Sequence, residues 1–141
     1  MVTKFKNIEF LPKDGKRLKL VSAEGVFDPN TTTELLISAA KRTVSKSTKV
    51  LDLGCGTGVV GLSLWLDGLA KEPIYASDLS EPSVSCSREN FKKYECKADV
   101  RCGALFDPWK NEKFDVIMDD ISGISQNIAS ISPWFNGVPC D

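Results

Sequence analysis

Two alternating segments open the chain, with a short polar segment between them. Apolar and polar positions alternate loosely over residues 5–11 and 17–21, and Asp14-Gly15 lies between the two segments. Such alternation is typical of strands with one buried face, and Asp-Gly is typical of a tight turn between antiparallel strands. The pattern predicts a β-hairpin, and residues 1–24 are interpreted as an N-terminal hairpin extension.

A helix is predicted to follow the hairpin. Residues 26–30 have loop character, and the hydroxyl side chains of residues 31–33 are suitable helix caps. The apolar residues beyond them recur at helical spacing, which predicts one buried stripe. The residues of this stripe are Leu35, Leu36, Ala39, Ala40 and Val44.

From Lys49 onward, short apolar strands alternate with helices. The predicted helices run from about residue 58 to 69 and from about 80 to 94. Strands that are joined by helices through short links form a parallel sheet with helices on both faces, so the fold class is predicted to be α/β. The predicted strands cover residues 50–53, 74–76, 98–102 and 114–118.

The predicted sheet stops after four core strands. The stretch 132–139 has loop character, and the sequence ends at Asp141. An open sheet that ended there would leave a strand edge and a hydrophobic face uncovered. Residues 25–141 are therefore interpreted as one domain that lacks the C-terminal strands of the complete fold.

The composition argues against several kinds of site. The chain contains no histidine, and its five cysteines form no CxxC pair. The sequence therefore predicts no zinc site, no disulfide framework and no imidazole base. No apolar run approaches the roughly 20 residues of a membrane span, and the N-terminus lacks the apolar core of a signal peptide. We expect a cytoplasmic protein without a membrane partner.

Charge is unevenly distributed along the chain. Residues 1–49 contain ten Lys or Arg and five Asp or Glu, a net charge of +5, whereas residues 50–141 have a net charge of −6. A basic N-terminal third fits a nucleic-acid or other acidic partner. A solvated lysine-rich surface is the simpler interpretation of the same residues.

The strongest candidate for chemistry is a glycine-rich turn after the first core strand. Asp52 is followed by Gly54, Gly56 and Gly58, and Asp78 ends the next strand twenty-six residues later. Alternating glycines permit a tight turn and let a ligand lie against bare backbone. A carboxylate at the end of the second strand is suited to accept hydrogen bonds from both hydroxyls of a ribose. The pattern predicts a nucleoside site beyond the carboxyl ends of the strands.

Two nucleoside cofactors fit a glycine turn, and Asp52 distinguishes them. A nicotinamide dinucleotide would place its anionic pyrophosphate on the turn, where this carboxylate repels it. S-adenosylmethionine has an ammonium and a sulfonium instead, which a carboxylate attracts. The acidic strand end therefore favours the sulfonium donor. Gly61, which completes a GxGxxG pattern, is interpreted as a site where the helix packs closely on a strand.

The segment from Asp52 to Gly58 resembles the first motif of class I S-adenosylmethionine-dependent methyltransferases, and Asp78 resembles their ribose-binding acid. The resemblance covers about residues 25–125. It implies a Rossmann-like sheet, which has seven strands in that family, so this chain would lack the fifth and the closing hairpin strands. Thr33-Glu34 is similar to the Thr-Glu of HemK-like protein-glutamine methyltransferases.

The resemblance also implies a set of cofactor-binding residues. Gly103 to Phe106 resembles the Gly-Asp-Leu-Phe segment of the HemK-like subgroup, with Ala104 in place of the aspartate that holds the adenine amino group. The implied cofactor-binding residues are Thr33, Asp52, Gly54, Cys55, Gly56, Gly58, Asp78, Leu79, Ala104 and Leu105. No metal ligand is implied.

The acceptor side departs from the HemK-like pattern. The subgroup has Asn-Pro-Pro-Tyr after the fourth strand, where this chain has Asp120-Ile121-Ser122-Gly123. An ionised Asp120 only accepts hydrogen bonds, so it fits a cationic amine or the proton of an oxygen or nitrogen nucleophile. We predict Asp120 as the catalytic residue. With Asp119 it also fits a solvated acidic pair.

The predicted function is methyl transfer from S-adenosylmethionine to a nitrogen or oxygen nucleophile, which leaves S-adenosylhomocysteine. The sequence leaves the acceptor open among proteins, nucleic acids and small molecules, and it does not define an oligomeric state. Two alternatives remain. One is a nicotinamide oxidoreductase, and the other is a non-catalytic or truncated methyltransferase-like binding module that needs a partner or a missing C-terminal segment.

Overall fold

The computed structural model describes residues 2–13 and 15–120. Strands β1 (Phe5–Phe10) and β2 (Leu18–Ala23) pair antiparallel, with Ile8 opposite Leu20. The predicted hairpin is therefore confirmed, although Asp14 in its turn lies outside the described residues.

The second sheet is parallel and consists of the strands β3 (Val50–Leu53), β4 (Ile74–Asp78), β5 (Ala98–Cys102) and β6 (Val116–Asp119). Their order in the sheet is β5-β4-β3-β6. Because β4 and β5 lie on one side of β3 and β6 lies on the other, the strand order reverses at β3, which is where α/β sheets form ligand crevices. The predicted α/β fold is confirmed. The helices are α1 (Thr31–Lys41), α2 (Val59–Leu66) and α3 (Glu81–Lys93).

One hydrophobic core joins the three helices to one face of this sheet. It contains Val50, Ile74 and Val100 from the strands, and it also contains Leu18 and Leu20 from the hairpin. The hairpin therefore shares the core of the parallel sheet. No helix among the described residues is long and apolar enough to cross a membrane.

Aromatic side chains cover the other face of the sheet within the described residues. Trp109 is buried against Leu51 and Leu53, and the rings of Tyr75 and Phe114 pack edge-on against it. The indole N–H of Trp109 donates to Ser77 Oγ at 2.8 Å, which ties this cluster to the end of β4. The cluster thus supports the strand end that carries Asp78.

Helix α1 differs from the prediction in its cap and in its buried stripe. Asn30 caps the helix, because its Oδ1 accepts from the backbone N–H of Thr32 and of Thr33, and the Thr33 hydroxyl accepts from Asn30 N in return. The N-cap is therefore Asn30 and not one of the predicted residues 31–33, although Thr33 completes the capping box. Leu35 is exposed, and Ile37 lies in the core instead.

Candidate cofactor site

A cavity of about 860 Å³ lies at the carboxyl ends of β3, β4 and β6 and beside the loop after β5. Residues from the segment 25–30 and from the start of α1 form one wall beside the glycine turn, which runs from Gly54 to Gly58. Its volume lies within the range of sites for small molecules and cofactors, roughly 300–1,000 Å³. The strand topology therefore brings the residues predicted from different motifs to one place.

The glycine turn has a backbone conformation that favours glycine at each of its three glycine positions. The φ angles of Gly54, Gly56 and Gly58 are +70°, +54° and +82°. At Gly54, the nearest atom to an added Cβ would be Asp119 Oδ1 at 3.7 Å, an ordinary van der Waals contact, and the residue lines the cavity. A ligand in the cavity meets bare main chain at this point.

Gly58 has a different place from the other two glycines. It is the N-cap of α2 and does not line the cavity. An added Cβ at Gly58 would lie 3.0 Å from Phe91 Cε2 and from Ser87 Oγ. The structure therefore places Gly58 where α2 begins against α3, and its role in cofactor binding stays a prediction.

The carboxylate of Asp78 is oriented by two backbone amides. Its Oδ2 accepts from Gly56 N at 2.9 Å, and its Oδ1 accepts from Ser80 N at 2.9 Å. Each oxygen has further lone pairs, so both remain able to accept from a pair of hydroxyls. The first bond also connects the predicted ribose-binding acid directly to the glycine turn.

Asp52 is buried beside the turn and has an unusual acidity. Its Oδ2 accepts from Gly61 N at 3.1 Å. Burial raises the pKa of Asp52 to about 8, against the opposing hydrogen bond from Gly61 and with smaller contributions in the same direction from the carboxylates of Asp78, Asp119 and Asp120. Such a pKa favours the protonated form at neutral pH, and a cation beside Asp52 would favour the ionised form.

The cavity has a strongly acidic lining. Among the described residues that line it there are several aspartates but no Lys or Arg. Burial and the neighbouring Asp120 raise the pKa of Asp119. Such a site attracts cations and repels phosphates. No group of residues in the described ranges has an arrangement suited to a metal ion. The aspartates are Asp28, Asp52, Asp78, Asp119 and Asp120.

The remaining predicted site residues also line this cavity. Thr33 lies on the α1 side, Leu79 follows Asp78, and Ala104 and Leu105 belong to the exposed loop after β5. Asp120 lies at the end of the described chain, and the predicted continuation through residues 121–123 lies outside the described residues. The structure thus brings all the predicted cofactor residues except Gly58 to the lining.

Cys55 is a buried thiol within the turn. Burial and the nearby carboxylates of Asp52 and Asp78 raise its pKa well above the usual range. Its sulfur lies 3.1 Å from Ser87 Oγ. Because only the thiolate is a good nucleophile, Cys55 acts here as a small turn residue.

The structure also accounts for Gly61 and adds two residues to the site, Phe27 and Asp28. The structure confirms the interpretation of Gly61, since an added Cβ there would lie 2.8 Å from Ile74 Cγ2. Phe27 and Asp28 line the cavity, although the sequence indicated only a loop. Their position depends on how the hairpin seats on α3, which no local pattern encodes.

Comparisons with known proteins agree with this geometry. A family model described as methyltransferase small domain matches residues 17–120. A ribosomal protein L11 methyltransferase from Staphylococcus saprophyticus is 33% identical over 92 residues, which cover 64% of this chain and 28% of the relative. A release factor glutamine methyltransferase from Dictyoglomus turgidum is 32% identical over 113 residues, which cover 73% of this chain and 38% of the relative.

A solved structure shows the same fold. The T. thermophilus 16S rRNA methyltransferase RsmC, in complex with AdoMet and guanosine, superposes with a TM-score of 0.69 at 20% identity. The match covers 80% of this chain and 32% of that chain. The chain therefore spans only about a third of the length of these relatives. Because the family model matches most of the sequence, the chain belongs to the methyltransferase small domain family.

Proposed function

We propose that the chain binds S-adenosylmethionine and forms the donor-binding part of a methyltransferase that acts on a nitrogen or oxygen nucleophile. The observation that carries this proposal is the cavity itself, in which a glycine turn and an oriented Asp78 carboxylate lie within an acidic lining. A nucleoside with a cationic tail matches all three features. Membership of the family and the AdoMet in the RsmC complex support the same ligand.

Each part of the proposed cofactor has a matching part of the cavity. Asp52 and the glycine turn would hold the charged methionine end, and Asp78 would accept from the ribose hydroxyls. The loop that contains Ala104 and Leu105, together with Leu79, would contact the adenine. The acidic lining also argues against a nicotinamide dinucleotide, since its pyrophosphate would lie among carboxylates with no Lys or Arg in the described lining to neutralise it.

The chemistry places few demands on side chains. When bound, the cofactor supplies a methyl group on a positively charged sulfur, which a nucleophile displaces in line. The protein then acts mainly by positioning donor and acceptor and by excluding water. Asp120 is exposed at the end of β6 and lines the cavity, so we propose that it orients a cationic amine or accepts the proton of the nucleophile.

The acceptor and the setting of the reaction belong to the same proposal. The two sequence relatives are named for a ribosomal protein and a release factor, and RsmC for a ribosomal RNA. We propose a protein, RNA or small-molecule acceptor and a cytoplasmic location, as expected for the translation machinery that these names describe. The division into a hairpin of residues 1–24 and a cofactor domain from residue 25 is part of this proposal.

Substitution of the ribose-binding acid tests the proposal. In Asp78→Asn an amide N–H replaces one acceptor oxygen, so we expect the affinity for S-adenosylmethionine to fall by at least about tenfold, or roughly 1.4 kcal/mol. Isothermal titration calorimetry measures the affinity. Asp67→Asn is the matched control, because Asp67 is an aspartate outside the cavity lining that pairs with Lys41. Equal affinities for the two variants would contradict the placement of the ribose at Asp78.

A further inference from the structure

One buried amide connects the hairpin to the glycine turn. Asn90 on α3 has no exposed surface, and its Oδ1 accepts from Val21 N at 2.7 Å. Its Nδ2 donates to Val21 O at 2.9 Å and to Thr57 O at 2.8 Å. The side chain therefore uses both donor hydrogens and its acceptor, and its partners come from segments 36 residues apart in the sequence.

Two neighbours of Asn90, one on α3 and one at its C-terminal cap, each bond to only one of these two segments. The Ser87 hydroxyl donates to Gly56 O at 2.8 Å, so Ser87 contacts the glycine turn. The Tyr94 hydroxyl accepts from Lys19 N at 2.8 Å and donates to Lys19 O, so Tyr94 contacts the hairpin. Asn90 lies between them on the helix and is bonded to both segments.

The spacing of helix and strand explains why α3 can hold the edge of β2. Asn90 and Tyr94 are four residues apart, about 6 Å along a helix, while Val21 and Lys19 are two residues apart, about 6.6 Å along a strand. The amide and hydroxyl therefore meet alternate backbone positions on the edge of β2 that faces away from β1. The side chains of Asn90 and Tyr94 thus bond to backbone groups on this edge that would otherwise pair with a further strand.

The hairpin leads directly into one wall of the cofactor cavity. Residues 25–30 follow β2, and the Ser22 hydroxyl donates to Asp28 Oδ1 at 2.7 Å. An added Cβ at Gly56 would lie 3.9 Å from Phe27 O, which shows how closely this wall approaches the glycine turn. The position of β2 relative to the turn therefore affects how closely this wall approaches the turn.

We propose that Asn90 is a positioning residue that fixes the spacing between the two cavity walls and thereby couples occupation of the cavity to the seating of the hairpin. This inference rests on the proposed function, since it takes the occupant to be S-adenosylmethionine. Linkage is reciprocal. If the bound cofactor stabilises the seated hairpin by some factor, then a contact that holds the hairpin in place raises the affinity for the cofactor by that same factor.

The coupling is measured at the Val21 amide, whose hydrogen bond to Asn90 must open before its hydrogen exchanges. We expect saturating S-adenosylmethionine to slow Val21 exchange at least about fivefold in the wild type, within the usual range for coupled sites. Asn90→Asp retains the acceptor for Val21 N but loses both donated bonds. In this variant the ligand should slow exchange less than about twofold, with its affinity lowered about tenfold.

Tyr94→Phe is the matched control, since it loosens the hairpin at Lys19 without touching the glycine turn. In Tyr94→Phe the Val21 amide should exchange faster than in the wild type, but the ligand should slow its exchange by the same factor as in the wild type. If Asn90 only stabilised the fold, Asn90→Asp would exchange faster and yet be slowed by the same factor as the wild type, which would overturn the inference.

The wild type alone decides the matter if Asn90→Asp does not fold. Greater slowing at Val21 than at Val100 in the core strand β5 supports the coupling, because ligand binding slows exchange through global unfolding equally at both amides. Normal binding with equal slowing at the two amides overturns the coupling and leaves the proposed function intact. Failure of the folded wild type to bind S-adenosylmethionine overturns both.

Discussion

Replacement of Asp52 by Asn should make the ligand-free protein more stable at alkaline pH. The Asn side chain has nearly the same shape, and its Oδ1 retains the acceptor for the N–H of Gly61. Its Nδ2 brings hydrogen-bond donors close to the carboxylates that oppose ionisation of Asp52, which are Asp78, Asp119 and Asp120. The substitution therefore removes a buried charge without opening a cavity.

The magnitude follows from the pKa of Asp52, which burial raises from 3.8 to about 8. Between these values the folded chain keeps a proton that the unfolded chain has released, so the free energy of unfolding decreases as the pH rises from about 4 to about 8. One pKa unit corresponds to about 1.36 kcal/mol, which sets a ceiling on the order of 6 kcal/mol for the whole window. Above pH 8 the effect is constant.

Urea unfolding at intervals from pH 5 to pH 9 measures this effect. The difference in unfolding free energy between Asp52→Asn and the wild type isolates Asp52, because other titrating groups are common to both proteins. We expect this difference to grow in favour of the variant up to about pH 8 and then to level off. A difference that does not change with pH would refute the raised pKa.

The same substitution should weaken the binding of S-adenosylmethionine. The ligand's positive charge favours the ionised form of Asp52, and a neutral amide offers no such attraction. We expect a loss of at least about tenfold in affinity at pH 8, or roughly 1.4 kcal/mol. Gain of stability with loss of binding is the usual trade at a functional site.

Two further predictions concern the support of the cavity. Gly58→Ala should lower the free energy of unfolding in urea by about 2–3 kcal/mol, because the φ of Gly58 is +82° and the added Cβ would crowd Phe91. Gly68→Ala is the control and should lower it by only about 1 kcal/mol, since the φ of Gly68 is +72° but the added Cβ meets nothing within 4 Å. Equal losses would contradict the packing contribution. Trp109→Phe should cost about 1–2 kcal/mol because it leaves Ser77 Oγ without its buried donor. An unfolding free energy within about 0.5 kcal/mol of the wild type would show that this bond is not needed.

The parts of the fold that the sequence predicts are those that local physics determines. A buried parallel strand needs a short apolar run, and a turn at positive φ needs glycine, so β3 and the turn after it are visible in nine consecutive residues. Asp78 is visible because it ends the next apolar run. The topology of a parallel sheet then brings these strand ends together without further information.

The parts that the sequence does not predict depend on contacts between distant segments. Leu35 is exposed because α1 buries only one narrow stripe, which consists of Thr33, Ile37 and Ala40 with the half-buried Leu36. Asn90 looks like an ordinary polar helix residue until α3 is packed against β2. The raised pKa of Asp52 likewise needs burial, with smaller contributions from carboxylates at the ends of β4 and β6, and only the folded sheet brings these together.

Calorimetric titration of the folded wild-type chain with S-adenosylmethionine, S-adenosylhomocysteine and NAD tests the central claim most directly. The acidic cavity predicts saturable binding of the two adenosyl-sulfur ligands and no binding of NAD. Binding of NAD in preference to S-adenosylmethionine would contradict the assignment of the ligand, and binding of none of the three would contradict the assignment of the cavity as a cofactor site.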